Sequence, residues 1–176
     1  MARKEKFTKE DILNKSVLYV KEFGIDRLTV RDLANFIGCS TQPIFRFYSK
    51  WNDFKIDLKE YLYNDYKEFI SSYVNVADYL MTISYAYAMY SKVEPNIFKA
   101  LFISDLSDKK DKNKKELIES LKEEYNISDA KAESVYRDVS IYTKGLATNL
   151  CFKNMNISDK DLLFLINNCI KRNIKS

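Results

Sequence analysis

Apolar residues recur at intervals of three and four along nearly the whole chain, and capping residues rather than turn-rich runs interrupt them. That rhythm predicts α-helices throughout. The first opens at Phe7-Thr8. Thr8 at the N-cap, Asp11 at N3 and Phe7 facing Ile12 give a capping box with a hydrophobic staple, ahead of Ile12, Leu13, Val17, Val20 and Phe23. Gly24 ends it, and Ile25 to Leu28 cross to the next helix. The start signal then repeats, with Thr29 as cap, Asp32 at N3 and Leu28 set to staple Leu33. This second helix is expected over Val30 to Phe36, stopping at Gly38, which can take a positive φ. Ser40 is expected to cap a third helix through Thr41, Gln42, Pro43, Ile44, Phe45, Arg46 and Phe47, with Pro43 in its first turn. Helix, glycine turn and helix make the helix-turn-helix plan, whose second helix reads the DNA major groove.

A long amphipathic helix follows from Lys50 to about Tyr73, carrying Phe54, Ile56, Leu58, Tyr61, Leu62, Tyr66, Phe69 and Ile70. Further helices are expected over roughly Val76 to Lys92, broken by Pro95, and over Asn96 to Leu106. Ser107 to Lys115 reads as a charged link. Glu116 to Tyr125 is a short helix. Ser128 caps a long one reaching about Lys153, and Ser158, with Asp161 at N3, caps a last one to about Lys171. The fold expected is all-α with about nine helices. A helix-turn-helix domain occupies residues 1–50, and a larger helical domain for effector binding and dimerisation occupies residues 51–176.

Composition sharpens this. Three Gly and two Pro in 176 residues favour long helices with short links. The net charge of +4 is uneven. Residues 1–55 hold 11 Lys+Arg against 7 Asp+Glu, while the remainder holds 18 of each. The positive excess thus lies with the helix-turn-helix, as a phosphate-binding surface requires. Cys39, Cys151 and Cys169 stand alone, which suits a reduced, cytoplasmic protein. No apolar run has the length of a membrane span. The absence of His, of a Gly-rich phosphate loop and of a nucleophile–base pair argues against an enzyme, and no cofactor or metal is expected.

Ile12 to Phe54 resembles the TetR family of bacterial transcription regulators. The likeness is carried by Ile12-Leu13, Gly24, Leu28 through Ala34, Gly38, and Ile44-Phe45-Arg46-Phe47-Tyr48. Lys144-Gly145-Leu146-Ala147 also resembles a small-residue segment common on the family's penultimate helix. The resemblance implies double-stranded palindromic DNA as partner. Thr29 and Arg31 would meet phosphate or an adjacent base. Thr41, Gln42 and Pro43 would face base edges, Gln42 pairing with adenine and Thr41 touching a thymine methyl. Phe45, on the groove side, stands where the family usually has Tyr, and Phe47 where it often has Tyr or His, so those phosphate contacts are missing. Trp51 replaces a phosphate-binding Lys. Lys50 is the substitute, with Arg46 and Lys55 restoring charge.

In the larger domain, Tyr79, Tyr85, Tyr87, Tyr90, Phe98, Phe102, Tyr136 and Tyr142 fit either a packed core or an apolar cavity with a few hydroxyls, suited to a flat hydrophobic ligand. For dimerisation, Val135, Val139, Tyr142, Leu146 and Leu150 form one stripe, with Gly145 allowing close approach. Leu162, Leu163, Leu165, Ile166, Cys169 and Ile170 form a second, so that two helices from each copy would build a four-helix bundle. The expected function is that of a homodimeric repressor released from its operator by a small hydrophobic or aromatic ligand. The alternative is a DNA-binding architectural or protein-interaction module without an effector.

Overall fold

The computed structural model describes residues 7–73, 78–104 and 114–175. Among them are nine α-helices and no strand, as the periodicity predicts: α1 (Lys9–Phe23), α2 (Val30–Ile37), α3 (Gln42–Phe47), α4 (Trp51–Ser71), α5 (Tyr79–Val93), α6 (Pro95–Phe102), α7 (Lys114–Tyr125), α8 (Asp129–Cys151) and α9 (Asp159–Lys175).

The starts follow their caps. The Asp11 N–H donates to Thr8 Oγ1 at 3.0 Å, and the Thr8 N–H donates back to Asp11 Oδ2 at 2.8 Å. Thr29, Ser128 and Ser158 accept from the backbone N–H of Asp32, Lys131 and Asp161 at 3.2, 3.3 and 3.1 Å. Several starts differ from expectation. Thr41, not Ser40, occupies the cap position of α3, in αR conformation and without a side-chain cap bond. Asp78 caps α5 by accepting from the Met81 N–H, so the helix begins three residues beyond Val76, which lies outside the described residues. Pro95 opens α6 rather than merely ending α5, because proline costs nothing where an N–H has no helical partner. The expected link at Ser107 to Lys115 lies outside the described residues except for Lys114 and Lys115, which begin α7. The α9 helix runs one turn past Lys171, and a 3-10 turn, Ile25–Arg27, joins α1 to α2.

By packing, the chain divides into two compact units, residues 1–65 with 96–108 and residues 66–95 with 109–176. In the first, Ile12 and Val20 of α1, Leu33 of α2, Ile44 of α3, Phe54, Leu58 and Leu62 of α4 and Ile97 of α6 are fully buried. The α6 helix joins this unit, where the Asn96 side chain donates to the Lys21 carbonyl at 2.9 Å.

In the second unit α8 lies against α5, α7 and α9. Val139, Leu162 and Ile166 are fully buried, as is Tyr90, whose ring meets Tyr66 and Phe69 edge-on at 5.1 Å each. Lys92 Nζ ties the end of α5 to the start of α9, donating to the Ile157 carbonyl at 3.1 Å and to Asp159 Oδ1 at 2.6 Å.

Candidate nucleic-acid interface

The α3 helix has only six residues and is too short to persist alone, so its neighbours hold it. Ile44 points inward with no exposed surface, and Tyr48 just beyond the helix is 4% exposed. Beneath them the Tyr48 and Phe54 rings meet edge-on at 5.3 Å, and Trp51 stacks on Phe54 at 4.4 Å. Trp51 therefore serves the packing under α3. Lys9 pairs with Asp57, and its Nζ sits 5.1 Å from the Tyr48 ring centre. The Tyr48 hydroxyl meets hydrogen-bond geometry with no group among the described residues. Burial, and then the nearby Asp57 carboxylate, push its pKa up.

Between α2 and α3 the chain turns at Gly38, at φ 78° and ψ 39°. Its N–H closes α2 on the Ala34 and Asn35 carbonyls at 3.0 and 3.1 Å. A Cβ there would meet nothing within 4 Å, so glycine is needed for the left-handed backbone rather than for space.

Gln42, Phe45, Arg46 and Lys50 are exposed, Phe45 at 46%, and Thr41 and Pro43 are half-buried. Thr29 and Arg31 are exposed at the start of α2. Two of these residues are already engaged. Thr29 Oγ1 donates its only proton to Asp32 Oδ2 at 2.5 Å, so Thr29 is first of all a cap. Arg46 stacks over the Phe47 ring at 4.7 Å and donates to the Phe7 carbonyl at 3.4 Å. Sequence reasoning missed the aromatic cluster of Tyr19, Phe23 and Phe36, whose centroids are 4.9 to 6.0 Å apart. Phe23 and Phe36 remain 39% and 36% exposed. The helical spacing of Tyr19 and Phe23 was a signal for the first pair, whereas Phe36 arrives from α2.

Of the eight aromatic residues named for a core or a ligand cavity, two belong to the first unit and six to the second. Phe98 and Phe102 meet with their rings tilted by 49° and centroids 5.0 Å apart within the first unit. In the second unit Tyr90 and Tyr136 are buried, Tyr79 and Tyr85 half-buried, and Tyr142 is 36% exposed on the outer side of α8. Tyr79 borders an open groove of about 590 Å³ shared with Lys115, Glu116, Glu119, Ser120 and Glu123 of α7. Burial, and then a hydrogen bond to Glu116, push the Tyr79 pKa up.

The expected dimer residues also divide. Leu146, Leu150, Leu162 and Ile166, expected at the interface, are buried in the chain's own interior. Tyr142, Gly145, Leu165 and Cys169 stay accessible. Beside them stand residues that sequence reasoning did not name, Ile141 at 65%, Phe164 at 62% and Phe152 at 47% exposed.

No family model matches the chain, and no curated protein matches it in sequence. Among the described residues no helix is long and apolar enough to cross a membrane.

Proposed function

We propose that the chain is a sequence-specific DNA-binding transcription regulator of the TetR type. It acts as a homodimer, and it represses until a small hydrophobic or aromatic ligand releases it. The observation that carries this reading is the helix-turn-helix itself. A capped α2, a left-handed Gly38 and a short α3 rest on a fully buried Ile44, with Gln42 and Phe45 exposed. The excess of cations in residues 1–55 adds to it. Arg31 in the first turn of α2 and Lys50 beyond the end of α3 are exposed cations and suit phosphate contact. Ile141, Tyr142, Gly145 and Phe164 on α8 and α9 offer an apolar surface for a second copy.

One observation favours the effector-free alternative. Tyr90 is wedged between two rings with no exposed surface, which is how a filled interior looks. A thermal-shift screen against hydrophobic aromatic compounds separates the two readings. A dose-dependent rise in Tm, with loss of DNA retardation at the same concentrations, supports an effector. No shift from any compound favours the alternative. DNA binding is tested by retardation of the duplex upstream of the chain's own coding region. Arg31→Ala with Gln42→Ala should weaken it by roughly tenfold or more. Lys50→Ala should lower the slope of log K against log salt by about one.

A further inference from the structure

We infer that the outward face of α3 reads the 5-methyl group of thymine, through the phenyl ring of Phe45 set one turn from Gln42. The inference rests on the DNA-binding reading above and adds to it the base chemistry that this helix recognises.

Gln42 and Phe45 are three residues apart on α3 and so share a face. Both are exposed, Phe45 at 46%, while Ile44 between them is fully buried. The Phe45 ring enters no aromatic pair among the described residues, and 46% of its surface is open to solvent. A phenyl ring has no hydrogen-bonding atom and cannot serve a phosphate. Of the groups along the floor of the major groove, the one that suits it is the apolar C5-methyl of thymine. Its neighbour on this face agrees, because a Gln amide matches the N6 and N7 edge of adenine, the base that pairs with thymine. Arg46, the cation of this helix, lies over the Phe47 ring at 4.7 Å and donates to the Phe7 carbonyl at 3.4 Å. The face thus presents an amide and a bare ring side by side, a pair suited to A·T steps.

Duplexes are first selected from a random pool on the full-length protein. The best is then resynthesised with deoxyuridine replacing each thymidine in turn, which removes one methyl and leaves every hydrogen bond in place. At one thymine in each half-site, the exchange should weaken the wild type by roughly three- to fivefold, the scale of one buried methyl group. Phe45→Ala, whose fold is checked by circular dichroism, should bind the thymine and uracil duplexes equally. If every uracil duplex binds the wild type as its parent does, or if Phe45→Ala keeps the same penalty, the inference is overturned while the DNA-binding reading stands. If no duplex is enriched at low salt, the DNA-binding reading falls and takes this inference with it.

Discussion

Tyr48 carries a hydroxyl to a place where it meets hydrogen-bond geometry with no group among the described residues, near the Asp57 carboxylate. Its ring is useful there, packed on Phe54 and under the Lys9 ammonium, but its oxygen is buried. Removing such a group leaves nothing unsatisfied behind, so the change is expected to be neutral or favourable. Tyr48→Phe should hold or raise the Tm at pH 7, by up to about 1 kcal/mol of stability. The pH dependence follows from the direction of the shift. A phenol whose pKa is raised in the fold contributes stability that is complete below the unfolded value near 10 and is lost as pH climbs beyond it. Urea unfolding of wild type and Tyr48→Phe should therefore diverge above about pH 10, the variant losing less. Thr29 is the opposite case, since its hydroxyl both donates and accepts at Asp32. Thr29→Ala should cost about 1 kcal/mol in urea unfolding through the lost cap. Any weakening of DNA binding would then come from a frayed α2 more than from a missing phosphate contact.

At the scale of elements, α8 and α9 show what periodicity can and cannot tell. Spacing says which residues share a face. It does not say whether that face meets its own chain or another, because both surfaces are apolar. Leu146, Leu150, Leu162 and Ile166 are as apolar as Ile141 and Phe164, yet the first four close the monomer's interior. The two sets should respond differently to truncation. Leu162→Ala should cost roughly 2–5 kcal/mol in chemical unfolding. Ile141→Ala with Phe164→Ala should leave the unfolding of one copy within about 0.5 kcal/mol, and should shift the sedimentation of a dimer toward monomer. Helix starts at Thr8, Thr29, Ser128 and Ser158 were legible because a cap is a local bond between residues three apart. The α3 cap was not. Ser40 and Thr41 are both good capping types, and the backbone of the turn after Gly38 decided between them. The outward side of α3 was legible in part, since Phe45, expected on the groove side, is exposed. The engagement of Arg46 with the Phe7 carbonyl was not, because it joins residues far apart in sequence.

For the whole molecule, the charge and the motif coincide. The excess cations fall within residues 1–55, and the remaining chain is neutral. A homodimer would present two α3 helices to a palindrome, with half-sites about one helical turn (~34 Å) or more apart. Binding should then be steep in salt, from counterion release, and selective, from Gln42 and its neighbours. The most direct test is a fluorescence-anisotropy titration of the wild type and of the Arg31→Ala, Gln42→Ala double variant against the duplex upstream of the chain's own coding region. Titrations at several salt concentrations separate phosphate contact from base readout. The account predicts saturable binding by the wild type, tighter than to a scrambled duplex and weakened roughly tenfold or more in the variant. No binding at low salt, or equal binding of both proteins to both duplexes, would contradict it.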